Sequence, residues 1–329
     1  MNRETKKNTD ALEPQSAALV QSLLGGGELL DHRDIAALRA KMSTFLHAVA
    51  PKALPVEASQ SRRITAGDRE VAVTLHWPPE AQRDSGNRAA EGPPPILLYF
   101  HGGGYTHFSA ATHDTVARYL CNKGRCIVVN VDYRLAPEHK FPAPLEDAYA
   151  ALCWVSRHAD EIGGDASRIL VGGESAGGTI SAALCLMARS RGGPAIALQI
   201  PLCASFTLHD IQRYSSWRTL AGGEYLLTPG TIEDMRALYL SRPEDELNPL
   251  VSPLLASDLM GLPPALIITA QFDPLVDEAA HYAQRLREAQ VPVAYECFAG
   301  TIHAFMIMAG AIDLGYTALD LIAEHILAI

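Results

Sequence analysis

Five short apolar runs constrain the fold more than any other feature of this 329-residue chain. Ile96 to Phe100, Cys126 to Val131, Ile169 to Val171, Ala195 to Leu202 and Ala265 to Thr269 are apolar almost without interruption. A half-exposed strand would alternate polar and apolar residues. An unbroken run implies a strand covered on both faces. Segments of helical period separate the runs, among them Asp114 to Lys123, Leu145 to His158 and Asp277 to Ala289. Strands alternating with helices predict a mostly parallel sheet, wound by right-handed crossovers, with helices on both faces. On such a sheet ligands bind beyond the carboxyl ends of the strands.

The flanking segments are read by the same rules. Residues 1–15 read as a frayed tail. Ile35, Leu38, Met42, Phe45, Leu46 and Val49 mark one face of an amphipathic helix, with Asp34 as its N-cap. Val71, Val73, Leu75 and Trp77 alternate as in a half-buried strand. The Pro78 to Pro95 stretch, with five prolines and two glycines, reads as an exposed loop. Residues 1 to about 55 and roughly 206–250 hold no core strand, and both are expected to cap the strand ends of a single domain spanning 1–329.

Charge and cysteine usage exclude several partners. Lys and Arg number 27 against 37 Asp and Glu, a net charge of −10, which argues against nucleic acid or an anionic membrane surface. No apolar run approaches the roughly 18 residues of a membrane span, and no apolar segment of a signal peptide follows the amino terminus. Cys121, Cys126, Cys153, Cys185, Cys203 and Cys297 form no C-x-x-C pair and no zinc-ligand pattern, so they read as small buried hydrophobes. A soluble cytoplasmic protein is expected. Nothing in the sequence decides for or against a homodimer.

Gly173-Glu174-Ser175-Ala176-Gly177 carries the strongest chemical signal. It follows Ile169-Leu170-Val171 and precedes the helical run Thr179 to Arg189. A serine on a tight strand-to-helix turn needs small neighbours, so that it can hold a strained conformation and present its hydroxyl at a helix N-terminus. Gly172, Gly177 and Thr179 also fall at P-loop spacing, but Gly178 stands where lysine would have to reach the phosphates. His101-Gly102-Gly103-Gly104-Tyr105 directly follows the first buried run. Its glycines allow backbone N–H groups to turn toward an oxyanion, so Gly102 and Gly103, together with Ala176, are the candidate oxyanion donors. His101 reads as a residue that shapes this loop.

A nucleophilic serine needs a base and an acid that orients it. Of the twelve histidines, four follow Ser175. His209 falls in the capping segment, and His281 and His325 in helical patterns. His303 follows the strand-like Val293 to Phe298, in a loop at a strand's carboxyl end. Asp273, after the strand Leu266 to Thr269, is favoured as the acid over Asp277, which reads as an early helix residue. Ser175, His303 and Asp273 together predict acyl transfer through a covalent intermediate.

In these motifs the chain resembles the bacterial hormone-sensitive-lipase-like (family IV) α/β-hydrolase esterases. His101 to Gly104 is similar to their HGGG motif, and Gly173 to Gly178 to their GDSAGG elbow, with Glu174 where the family usually has Asp. Tyr133-Arg134-Leu135-Ala136-Pro137-Glu138 with Phe141 to Pro144 resembles their loop between the two motifs, where Arg134 and Glu138 are expected to form ion pairs. Asp273-Pro274-Leu275 and His303-Ala304-Phe305 are similar to their acid and histidine segments, acetyl esterases above all. The resemblance spans about residues 70–310. It implies an α/β-hydrolase fold with a helical cap, hydrolysis of small uncharged esters with short acyl chains, and no metal or organic cofactor. Tyr105, Phe108 and Phe206 are candidates for the pocket wall. The same three residues would also serve an amidase, formamidase or lactonase. A non-catalytic receptor on this fold is the reading from a different class.

Overall fold

The computed structural model describes residues 10–25, 34–66, 69–80 and 92–329. Residues 1–9 of the expected tail and 81–91 of the expected loop lie outside them. Eight strands form one sheet: β1 Ala58–Ala66, β2 Arg69–Trp77, β3 Ile96–Phe100, β4 Ile127–Asp132, β5 Ile169–Glu174, β6 Leu198–Leu202, β7 Ala265–Phe272 and β8 Val293–Ile302. Their order is β1-β2-β4-β3-β5-β6-β7-β8. The pairs β1–β2 and β2–β4 are antiparallel, and every other neighbouring pair is parallel. This is the mostly parallel α/β architecture expected.

Helices cover both faces because side chains alternate across each strand. From β3, Ile96, Leu98 and Phe100 pack with residues of α4 (Ala143–His158), α5 (Ala176–Ser190) and α8 (Val276–Glu288). Leu97 and Tyr99 pack on the other side with α3 (Asp114–Gly124) and α9 (Leu314–Leu327). All five are at most 1% exposed, and each apolar side chain so buried contributes about 1.5–3 kcal/mol. On β2 only one face is covered at Val71, Val73 and Leu75, hence the alternation in sequence.

The amino-terminal segment forms α1 (Pro14–Gly25) and α2 (Ile35–Val49). Asp34 caps α2 by accepting from the Ala37 N–H at 3.0 Å, as expected. The frayed tail was expected to run through residue 15, yet α1 already starts at Pro14. Proline suits a first helical position, and the Glu13 carboxylate accepts from the N–H groups of Gln15 and Ser16. The 206–250 segment supplies α6 (Ser215–Leu220) and α7 (Pro229–Tyr239), with Thr228 capping α7.

Two ion pairs hold the segment from Tyr133 to Pro144. Arg134 donates Nε and Nη2 to both oxygens of Asp147 on α4, at 2.8 and 2.7 Å, and its backbone N–H to the same carboxylate at 3.0 Å. Glu138 pairs with Arg39 of α2 at 2.7 Å, and that guanidinium holds the Glu138 carboxyl down at about 2. Asp147 is buried at 1% exposure while its partner is partly solvated, so removing the carboxylate strands only part of a charge. Asp147→Ala is therefore expected to cost about 2–3 kcal/mol, below the range for a fully buried pair. Urea denaturation checks this, and an unchanged midpoint would show that the segment is held by other contacts.

Candidate active site

Ser175 sits between the end of β5 and the start of α5 with φ 53° and ψ −118°, a conformation that L residues seldom adopt. Its N–H donates to the Leu202 carbonyl of β6 at 2.8 Å, and its carbonyl accepts from the Thr179 N–H at 3.0 Å. The turn lies hard against the end of β3. A Cβ at Gly177 would overlap the carbonyls of Phe100 and His101, so glycine there is a steric requirement.

The structure brings the three sequence-predicted residues together across 128 positions of chain. His303 Nε2 lies 3.1 Å from Ser175 Oγ, and His303 Nδ1 lies 2.8 Å from Asp273 Oδ2. The second oxygen of Asp273 accepts from the Leu275 N–H at 2.9 Å, which fixes the carboxylate plane. Asp273 is 1% and His303 7% exposed. Burial alone would push the imidazole below its ordinary value. Asp273, with Glu174 and Glu278 behind it, outweighs that effect, and the net shift of His303 is upward.

The local path to His303 differs from the expected loop. β8 runs on to Ile302, and Ala299 to Ile302 belong to it. Ala270 pairs with Phe298 but Phe272 with Ile302, so β8 carries extra residues through an irregularity. Gly300 there donates its N–H to the Gln271 side chain at 2.9 Å. A bulge of this kind re-aims the side chain that follows it. Its sequence, Ala299-Gly300-Thr301, has the composition of a loop.

The glycine-rich segment lies beside the turn, with Gly103 at φ 97°. Its carbonyls face protein donors: Gly103 O accepts from the N–H groups of Thr106 and His107 at 2.9 and 3.1 Å, and Tyr133 Oη donates to His101 O at 2.8 Å. Ala176 opens α5, so its N–H has no carbonyl one turn back to serve. His101 stacks on Tyr133 at 4.2 Å between ring centroids, well away from the role of base. Tyr105 stacks on Tyr239 of α7 at 3.8 Å, and Phe108 packs edge-on to His113 at 5.4 Å. Phe206, the third candidate for the pocket wall, lies after β6. It is fully buried and stacked on Tyr282 of α8 at 4.2 Å between ring centroids.

The competing residues are occupied elsewhere. His209 pairs with Glu246, His281 with the Tyr214 hydroxyl, and His325 with the Leu321 carbonyl. Asp277 accepts from the Ser216 N–H at 2.8 Å, tying α6 to α8. Among the described residues one group brings three metal-ligand types together: Cys203, Asp273 and His303, within 4.8 Å. Burial, with Asp273 alongside, pushes the Cys203 thiol well above its ordinary range, and both His303 nitrogens already have partners. That donor set does not fit a metal. All six cysteines are free thiols, four of them buried. No helix among the described residues is long and apolar enough to cross a membrane.

Sequence reading noted Glu174 only as a departure from the motif and passed over Glu278 and Arg39. Glu278 is fully buried in the first turn of α8, where it accepts from the Phe206 N–H at 2.9 Å, and burial pushes its carboxyl up to about 8. Arg39 donates to the carbonyls of Thr106 and Ala136 at 2.8 and 3.0 Å, so α2 holds the backbone that directly follows the glycine-rich segment. A single arginine on an amphipathic helix gives no sequence signal for such a contact.

A family model described as alpha/beta hydrolase fold matches residues 97–307, more than half of the chain. The chain belongs to this α/β-hydrolase family. An ethyl acetate hydrolase of Pseudomonas putida is 32% identical over 325 residues, covering 95% of this chain and 98% of that protein. The carboxylic ester hydrolase LipN of Mycobacterium tuberculosis is 42% identical over 221 residues, 65% of this chain and 58% of that protein. Among solved structures, a hyperthermophilic esterase from the archaeon Pyrobaculum calidifontis superimposes with a TM-score of 0.85 at 34% identity, covering 97% of this chain and 98% of that one.

The tight approach of the serine turn to β3 has a direct consequence. Gly177→Ala places a methyl group into backbone that cannot withdraw, and is expected to cost about 3 kcal/mol or more and to remove measurable activity. Thermal unfolding and ester hydrolysis of the purified variant check both. Wild-type stability and activity would show that the turn has room to spare.

Proposed function

We propose that this carboxylic ester hydrolase cleaves short-chain acyl esters, with Ser175 as nucleophile, His303 as general base and then acid, and Asp273 as the group that orients the imidazole. One observation carries this reading: the continuous hydrogen-bonded chain from Ser175 Oγ through His303 to Asp273, at 3.1 and 2.8 Å. Ser175 Oγ attacks the acyl carbon while its proton passes to His303 Nε2. The oxyanion so formed is held by the N–H groups of Gly102, Gly103 and Ala176, each such donor being worth about 2.7–4 kcal/mol. His303 returns the proton to the departing alcohol. Water then attacks the acyl-enzyme by the same route, releasing the acid and restoring Ser175.

The ethyl acetate hydrolase among the relatives and the aromatic side chains beside the glycine-rich segment support the short-chain reading. The two segments without core strands are assigned as the cap. Tyr239 on α7 stacks on Tyr105 of that segment and Arg39 on α2 bonds the next residue, Thr106, which supports the assignment.

Three measurements test the proposal. Ser175→Ala is expected to lower kcat for p-nitrophenyl acetate about ten-thousand-fold or more, and substantial remaining activity would remove Ser175 from the mechanism. Specificity constants for p-nitrophenyl esters are expected to fall steadily from short to long acyl chains. A maximum at a long chain would overturn the short-chain assignment. The pH dependence follows from the upward shift of His303: a raised imidazole takes up its proton earlier on acidification. The acid limb of kcat/KM should therefore have its midpoint above the ordinary 6.5. A midpoint well below that value would exclude His303 as the base.

A further inference from the structure

We propose that Glu174 is a positioning residue for the esterase reaction: its carboxylate, packed between the glycine-rich loop and His303, stabilises the imidazolium that forms as Ser175 loses its proton. This rests on the roles given above to Ser175 and His303.

Glu174 is the last residue of β5 and is 2% exposed. Its Oε1 lies 3.7 Å from His303 Nε2, the nitrogen that faces Ser175. Asp273 holds the opposite nitrogen at 2.8 Å, so each ring nitrogen has a carboxylate beside it. Packing fixes the Glu174 side chain. A Cβ at Gly102 would collide with Oε2, and that oxygen has no hydrogen-bond partner among the described residues. That oxygen lies 3.7 Å from His113 Nε2, and its fit against Gly102 leaves Oε1 as the oxygen that faces a ring which becomes cationic during turnover. The attraction is weak while His303 is neutral and strong once it is charged, so it acts on the transition state more than on the resting enzyme.

The surrounding groups leave this role to Glu174. Around it stand His113 Nε2 at 3.7 Å from Oε2, with Tyr99 of β3 and Tyr133 after β4, whose hydroxyls burial keeps protonated. Around His303 stand Asp273, Glu278 of α8 and the Cys203 thiol. Of the two neighbouring acidic groups other than Asp273, Glu278 is engaged with the Phe206 N–H and burial favours its protonated form, whereas Glu174 Oε1 is the one that approaches Nε2.

The test is the pH profile of kcat/KM and kcat for p-nitrophenyl acetate in wild type, Glu174→Gln and Glu174→Asp. Glu174→Gln keeps the shape and removes the charge. Its acid limb is expected to move down by about one pH unit, and its plateau kcat to fall about tenfold with KM within about twofold. Glu174→Asp, whose charge sits one methylene farther from the ring, should fall between the two. A Glu174→Gln variant that loses activity but keeps the wild-type limb has lost structure only, and overturns the proposal. Should Glu174→Gln fail to fold, Glu174→Asp decides: a limb coincident with wild type overturns the proposal, and a lowered limb supports it. Failure of the underlying esterase reading would instead show as wild type that hydrolyses no ester, or as unimpaired Ser175→Ala.

Discussion

The left-handed backbone of Ser175 depends on how closely the turn after β5 is pressed onto the end of β3. No residue with a side chain at position 177 could sit against the Phe100 and His101 carbonyls. The same approach brings the glycine-rich loop to the hydroxyl, because that loop begins where β3 stops. Register does the rest: Phe100 pairs with Gly173, and Glu174 with Leu202. Strand order then decides which other loops can reach the serine. β6 to β8 lie on one side of β5, and the Asp273 and His303 segments emerge from their carboxyl ends. The strain stored at one residue is thus carried by a sheet whose central strands are almost wholly buried.

Burial alone does not determine what a histidine does here. His101 and His303 are both buried, yet their proton affinities move in opposite directions. Burial and the adjacent His113 push His101 well below its ordinary value, and it stacks as a neutral ring on Tyr133. His303 feels the same desolvation, but the hydrogen-bonded Asp273 carboxylate, with smaller contributions from the acidic groups of Glu174 and Glu278, reverses the balance. The difference is one of neighbours, set by which strand ends converge.

That difference also marks how far the sequence was legible. The covered strands were readable because burial on both faces leaves an unbroken apolar run. Ser175 and Asp273 were readable because each stands just past such a strand. β1, by contrast, is Ala58-Ser-Gln-Ser-Arg-Arg-Ile-Thr-Ala66, an edge strand that pairs with β2 alone and buries Ile64 as its one large apolar side chain. With one neighbour and little cover, it leaves no periodic pattern to detect. The extension of β8 through Ala299 to Ile302 was hidden for another reason, since a bulge has the composition of a loop. The stack of Phe206 on Tyr282 was hidden too, since an aromatic residue after a strand end fits both a pocket and a core.

The segments without core strands acquire their positions from contacts that no local pattern encodes. Arg39 spans from α2 to the carbonyls of Thr106 and Ala136 and to Glu138. From the other segment, Tyr239 stacks on Tyr105, and its carbonyl accepts the Phe141 N–H at 2.9 Å. Two stretches of chain about 200 residues apart therefore converge on Tyr105 and Thr106, at the end of the glycine-rich loop, and on the Tyr133 to Pro144 segment. Movement of either stretch must disturb the backbone that the oxyanion is proposed to use. A substitution at the α2 contact is therefore expected to shift the backbone that leads into the glycine-rich loop, and with it the geometry that the proposed chemical step requires.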